Sequence, residues 1–272
     1  MKISRDDLIA MDEHSQLLAL YDLHQRIELE IPGVRKERTP HVLRFIRPAP
    51  GMNFVSYAWL DEVNVDAVIH EQVDYFVQFD QPFSWQIMDH DRPHDLSKRL
   101  LAHGFSADDD PSAVMLLDLQ QCDAELFQPV SLDIRRVTKL DGLDDVVEIE
   151  EQVWGGSFAW LKQRLGSHLV IPDYLSVYVA YVDRRPASTA WTYFPPNNPF
   201  ASLFGGATVP IHRKSGLYTA LLAHRVQEAH QRGRRFLTVG CNPNSRPIVA
   251  QHGFQFLAYH YDYEFNRSNK LG

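Results

Sequence analysis

The sequence predicts an α/β protein of layered sheets and helices, built as two tandem copies of one unit. Three observations carry this. Residues 201–254 read as strand, proline stop, basic loop, amphipathic helix, strand, short helix and Gly-Phe. A similar order, helix, strand, helix, Gly-Phe and strand, runs through residues 65–119. The chain of 272 residues has length for two such units, and its 44 % hydrophobic content is ordinary for a globular protein.

The elements follow in order. Helices are expected at about Ser4–Met11 and His14–Ile27, with Ser4 and Asp7 as an N-cap pair. They fit no part of the repeat. A helix at Val65–Phe79 opens the first copy, and Phe83–Met88 reads as a strand. Asp95–His103 reads as a helix ending at Gly104-Phe105, and Ala113–Leu119 as another strand. The polar stretch Leu119–Val130 contains Pro129 and predicts a boundary, giving domains 1–125 and 126–272. A strand at Ser131–Arg136, a helix at Leu143–Val153 and a strand at Ser188–Phe194 follow.

The run Ala201–Val209 is strand-like and is stopped by Pro210, which has no N–H and holds Val209 extended. Gly205-Gly206 within it predicts a bulge or close packing against a neighbouring strand. The loop Arg213-Lys-Ser-Gly-Leu-Tyr218 opens a helix to about Gln231, whose Tyr218, Leu221, Leu222, Val226 and Ala229 share one face. Gly233 stops it. The strand Arg235–Gly240, a helix at Ser245–His252, Gly253-Phe254 and the strand Phe256–Phe265 complete the second copy. The two Gly-Phe pairs lie 149 residues apart.

A basic loop at a helix N-terminus is an anion site. The first N–H groups of the helix lack partners in the chain, and the helix dipole favours negative charge there. Gly216 lets backbone approach a phosphate, while Arg213 and Lys214 add charged donors. In the first copy the matching segment is Asp61-Glu-Val-Asn-Val-Asp66, whose carboxylates suit a helix N-terminus and repel a pyrophosphate. The first copy is therefore expected to bind no such ligand.

Charge is uneven. Residues 131–272 carry 16 Lys+Arg against 12 Asp+Glu, and residues 1–130 carry 11 against 23. An acidic half keeps the protein soluble or draws a cationic amine. No dense basic stripe with interleaved aromatics speaks for nucleic acid, and no apolar run is long enough for a membrane span. Only Cys122 and Cys241 occur, and the N-terminus lacks an apolar signal core, so a cytoplasmic protein is expected. His90 and His94 flank Pro93 and lack helical metal spacing, so no metal is expected.

Over about residues 130–265 this order resembles the GCN5-related N-acetyltransferases. Their signature, Gln/Arg-x-x-Gly-x-Gly/Ala, reads here Arg213-Lys-Ser-Gly216-Leu-Tyr218, and their later Asn-x-x-Ala reads Asn242-Pro-Asn-Ser245. The resemblance implies two domains, each a mixed, mostly antiparallel sheet flanked by helices, the first a degenerate copy. It implies acetyl-CoA as acyl donor and a primary amine of a small molecule or peptide as acceptor; a non-catalytic acyl-CoA sensor is the alternative.

It implies that Thr208, Val209, Arg213, Lys214, Ser215, Gly216, Leu217, Tyr218, Thr219, Asn242 and Ser245 hold the cofactor. Backbone N–H groups at Thr208 and Val209 would hold the pantetheine arm and thioester carbonyl. Tyr218 stands where a small residue is usual, and Val249 where many members carry the tyrosine that protonates the leaving thiolate. Glu150 or Glu151, foremost Glu151, is the expected base acting through water, and Tyr259 the expected substitute acid from the row Tyr259, Tyr261, Tyr263. Tyr193 is expected to line the cleft, Trp154 and Trp160 to wall the acceptor or pack, and Cys241 to be a small buried residue.

Overall fold

A computed structural model describes residues 12–49, 51–79, 81–107 and 110–266. The helix expected at Ser4–Met11 lies outside them. In chain order come α1 (Glu13–Tyr21), a wide turn at Asp22–Ile27, β1 (Arg35–Arg38), β2 (Val42–Ile46), β3 (Asn53–Ala58) and α2 (Val65–Phe76). Next are β4 (Phe83–Met88), α3 (Leu96–Ala102), β5 (Ser106–Ala107), β6 (Ser112–Asp118) and β7 (Ile134–Val137). Then follow α4 (Leu143–Trp154), α5 (Ala159–Leu169), β8 (Leu175–Val182), β9 (Arg185–Tyr193) and β10 (Phe200–Thr208). The chain closes with α6 (Leu217–Gln231), β11 (Phe236–Cys241), α7 (Arg246–Ala250) and β12 (Gln255–Phe265).

Two compact units result. One gathers the described residues up to Val114 with Cys241–Arg246 and the chain from Phe256; the other gathers Met115–Gly240 and Pro247–Gln255. The division at 125 and 126 concerns the order of copies along the chain, and the compact units are discontinuous in it.

The first unit has the strand order β1-β2-β3-β4-β12, with β5 against β12. Neighbours β1–β2, β2–β3 and β4–β12 are antiparallel, and β3–β4 is parallel. The α2 crossover joins that parallel pair, as two parallel neighbours require. Its Val65, Val68, Ile69, Val73 and Phe76 are buried against Phe83, Trp85 and Phe265 of the sheet. Phe76 stacks on Phe83 with ring centroids 4.4 Å apart.

The second unit has the order β6-β11-β10-β9-β8-β7. It repeats the same plan: β9–β10 antiparallel, then α6, then β11 parallel to β10. Helices α4 and α5 bury Leu143, Val146, Ile149, Leu161 and Leu165 with Trp191, Tyr193, Ala207 and Val209 of the sheet. On α6, Leu217 and Leu221 pack with Ala180, Ala187 and Ala190. Gly216 and Gly233 bracket α6 with φ of 83° and 70°, the left-handed conformation that glycine adopts without a Cβ penalty.

The last strands change places relative to chain order. β4 pairs with β12, from His260↔Met88 to Phe265↔Phe83, and β6 is the neighbour of β11. Each unit thus closes on the terminal strand of the other copy. Among the described residues no helix is long and apolar enough to cross a membrane.

Candidate functional site

The site begins where two strands part. β10 and β11 pair in parallel from Phe200↔Phe236 to Leu203↔Val239, and the register stops there although β10 runs on to Thr208. A bulge between Phe204 and Ala207 turns β10 away. Both sequence readings of Gly205-Gly206 hold together. Gly205 has φ of 61°, and a Cβ on it would lie 1.8 Å from Trp191 Cζ3. The bulge therefore depends on a missing side chain, and the Trp191 ring occupies the space.

Beyond the bulge β10 stays paired with β9 alone. The Val209 N–H donates to the Ala187 carbonyl at 2.9 Å, so it is not a free donor. Alternation along an antiparallel strand turns the neighbouring Thr208 N–H to the opposite edge, the edge facing the splay. Of the two expected backbone donors, Thr208 thus has its N–H turned away from β9, while that of Val209 is taken up by the sheet. The Thr208 carbonyl accepts from Arg213 Nε at 3.3 Å, and its hydroxyl bonds Ser188 at 2.7 Å.

The loop then reaches α6. Lys214 holds φ of 63°, and a left-handed non-glycine residue costs roughly 1–2 kcal/mol. Ser215 Oγ donates to the His212 carbonyl at 2.6 Å, which closes the loop on itself. Gly216 is the N-cap; no side chain caps α6, and no acid stands in its first turn. A Cβ on Gly216 would meet nothing within 4 Å, so the helix N-terminus is open. Leu217 is buried and anchors the helix, while Thr219 is exposed and bonds His252 Nε2 at 3.3 Å. Uncapped N–H groups, two adjacent cations and an open approach fit a pyrophosphate.

Tyr218, at the position of the usual small residue, is accommodated by its neighbours. A Cβ on Gly206 would lie 3.1 Å from its Cε2, so glycine there makes the room. Its hydroxyl interacts with Arg225, a fully buried guanidinium whose pKa burial pushes down to about 10. Arg225 and His252 were not singled out in the sequence; neither stands in a motif, and only the fold brings them to the loop.

On the other face, α4 lies against β9 and β10. The two adjacent glutamates have different fates. Glu151 Oε1 accepts the Phe158 N–H at 3.0 Å and pins the α4–α5 turn. Glu150 is 4 % exposed, and its Oε1 is buried with no hydrogen-bond partner. Burial pushes its pKa up to about 7, against the opposing hydrogen bond of Trp154. Tyr193 is buried beside the bulge, with its hydroxyl 2.8 Å from His168 Nδ1 and its ring edge-on to Phe204 at 5.5 Å.

Of the remaining expected residues, Cys241, Asn242, Ser245, Tyr259 and Tyr263 fall in the first unit and Val249 in the second. Asn242 Oδ1 accepts the Asn244 and Ser245 N–H groups at 3.0 and 2.9 Å, so this pair caps α7. The Tyr259 hydroxyl accepts from Arg246 at 2.9 Å and its ring packs on Phe256. Tyr263 is in the core. Val249 is buried, and Cys241 is buried with its thiol pKa pushed up by burial.

No family model matches this chain, and no curated protein matches it in sequence. Solved structures do resemble it. A GCN5-related N-acetyltransferase from Kribbella flavida superposes with a TM-score of 0.68 at 14 % identity, covering 94 % of this chain and 96 % of that one. A tandem GNAT protein from the clavulanic acid biosynthesis pathway gives 0.60 at 14 % identity, covering 97 % and 96 %. A putative GNAT-family acetyltransferase from Novosphingobium aromaticivorans gives 0.56 at 16 % identity, covering 92 % and 96 %. The chain has the fold of the GCN5-related N-acetyltransferases, in the tandem arrangement.

Proposed function

We propose that this chain is an acetyl-CoA-dependent N-acyltransferase acting on a primary amine of a small molecule or peptide. The observation that carries the reading is the coincidence, in the second unit, of a strand splay after Leu203↔Val239 with an uncapped α6 N-terminus flanked by Arg213 and Lys214. A phosphate end and an extended thioester arm need those two features side by side.

The residues divide the work. Backbone N–H groups of α6, with Arg213 and Lys214, hold the pyrophosphate. The Thr208 N–H, aimed into the splay, donates to the pantetheine arm or the thioester carbonyl. An acceptor amine arrives mostly protonated, since its pKa is about 10.4 by comparison with lysine. Glu150 takes one proton from it. The freed nitrogen lone pair forms the C–N bond as the C–S bond breaks; sulfur leaves with the C–S bonding pair and takes a second proton from the nitrogen. No donor side chain is needed for the thiolate, because a thiol pKa of about 8.5 makes departure near neutral pH only modestly unfavourable. Val249, which cannot donate, is compatible with this.

A second reading is favoured by that same valine: an acyl-CoA-binding module without turnover. Thiol release from acetyl-CoA with a panel of primary amines separates the two. The transferase reading expects amine-dependent release, with kcat/KM rising with pH through about 7 as Glu150 loses its proton. Tight CoA binding with no release for any amine would favour the sensor.

A further inference from the structure

The narrow end of the splay in the second unit is closed by aromatic rings. β10 lies between β9 and the splay, so its stretch from Gly205 to Thr208 borders the opening. Trp191 stands on β9 opposite Phe204, and its indole reaches across to β10. Its Cζ3, Cε3 and Cη2 atoms lie 1.8, 2.1 and 2.1 Å from where a Gly205 Cβ would be. The ring therefore occupies the space that a side chain on the bordering strand would take. Trp191 is 8 % exposed and belongs to the buried cluster of α4 and α5, which holds it in place. Ala190, its neighbour on β9, packs with Leu217 and Leu221 of α6, so Trp191 covers the sheet face away from α6. On the α6 face Tyr218 covers Gly206, with Cε2 3.1 Å from the Cβ position there. The pairing Leu203↔Val239 closes the third side.

The acyl end of a bound thioester falls at this closed end. Arg213 Nε bonds the Thr208 carbonyl at 3.3 Å, which puts the basic loop at the wide end. From Thr208 back to Phe204 the strand covers roughly 13 Å, comparable to the reach of an extended pantetheine arm. Phosphates on the α6 N-terminus thus bring the thioester beside Gly205. We infer that Trp191 sets the length of the acyl group: the site takes acetyl, and longer acyl chains are rejected at the indole. The inference rests on the acyl-CoA reading of the site. A short acyl group ends before the ring. Each further methylene has to displace an indole held in a packed core, and overpacking of that kind is destabilising. A phenylalanine at this position has a shorter reach and leaves room over Gly205.

The test is calorimetry of the full chain with CoA, acetyl-CoA, butyryl-CoA and hexanoyl-CoA, followed by thiol release from each thioester with a panel of primary amines. Acetyl-CoA should bind at least about tenfold more tightly than hexanoyl-CoA, with butyryl-CoA between them. Trp191→Phe keeps an aromatic core residue and should fold. It should remove most of that preference while the affinity for free CoA, which carries no acyl group, stays unchanged. The wild-type ranking is read without any variant, and equal affinity for acetyl-CoA and hexanoyl-CoA there would overturn the inference. So would a Trp191→Phe chain with a lowered melting temperature and the wild-type ranking intact, which would make the indole a core residue only. Ranked binding without thiol release for any amine would leave the inference standing and defeat the transferase reading. Thiol release at equal rates from all three thioesters would do the reverse. Failure of CoA and every thioester to bind would overturn both.

Discussion

The same strand splay occurs in both units, and the chain fills one of them with its own side chains. In the first unit β3 and β4 pair from Asn53↔Phe83 to Val55↔Trp85 and then part, as β10 and β11 do in the second. There the Arg26 guanidinium enters. It is 5 % exposed, donates from Nε to the Ser56 carbonyl at 3.1 Å, and pairs with Asp22 and Asp91. Tyr57 lies under it at 4.7 Å. The wide turn Asp22–Ile27, closed by an i to i+5 bond from Glu28 N–H to the Leu23 carbonyl, delivers Arg26 to that place.

The helix N-termini differ in the same sense. Before α2, the Asp61 carboxylate accepts the Val63 and Asn64 N–H groups at 2.9 and 2.8 Å. Asp66 is bound by Arg99 and by His103. Before α6, no side chain does either job. The lesson is that one scaffold becomes a ligand site or a structural module according to whether the chain supplies the missing charges itself.

Arg26→Ala should have the largest effect. It strands two carboxylates that are mostly buried, a change that costs about 3–5 kcal/mol and lowers the melting temperature by roughly 10 °C. CoA affinity should be unchanged. If CoA then bound a second time per chain, the guanidinium alone would be what separates the two units. Next comes Gly216→Asp, which forces an L-residue into a left-handed position and adds a negative charge beside the phosphates. CoA affinity measured by calorimetry should fall about 100-fold, or roughly 2.7 kcal/mol. The matching N-cap change in the first unit, Asn64→Asp, should leave it untouched, and equal losses from both would break the comparison.

The smallest effect is a pH dependence of the first unit. For Asp22, burial would raise the pKa, but the His90 hydrogen bond and the Arg26 charge hold it below its usual value. For His90, burial works to lower the pKa, and the hydrogen bond and charge of Asp22 raise it above 6.5. A raised histidine gives stability that is full below pH 6.5 and is lost as pH rises through the folded value. A lowered aspartate gives stability that is present above pH 3.8 and is lost as pH falls through the folded value. Melting temperatures should therefore drift down from pH 6 towards 8, and His90→Asn should flatten that drift.

Much of this was legible in the chain. Periodicity and glycine punctuation place α6 at Leu217–Gln231 and β4 at Phe83–Met88 with no error in the bounds. The Gly205-Gly206 bulge was readable because only a missing Cβ explains two glycines in a strand. The edge strand β1 and its neighbours β2 and β3 are not legible in the sequence, since charged Arg35–Arg38 and the short runs after it lack a clean alternation. Strand partners were out of reach as well: period-two patterns say which face is buried, not that β12 would pair with β4. Glu150 and Glu151 could not be separated by sequence, because one residue along a helix turns a side chain by about 100° from solvent to core. Arg26 stands in no motif, and nothing short of the fold shows where its guanidinium goes.

The difference between the two units is tested most directly by the stoichiometry of CoA. Calorimetric titration of the full chain should give one site per chain, abolished or weakened about 100-fold by Gly216→Asp. Two equivalent sites, no binding, or a single site indifferent to Gly216→Asp would contradict it.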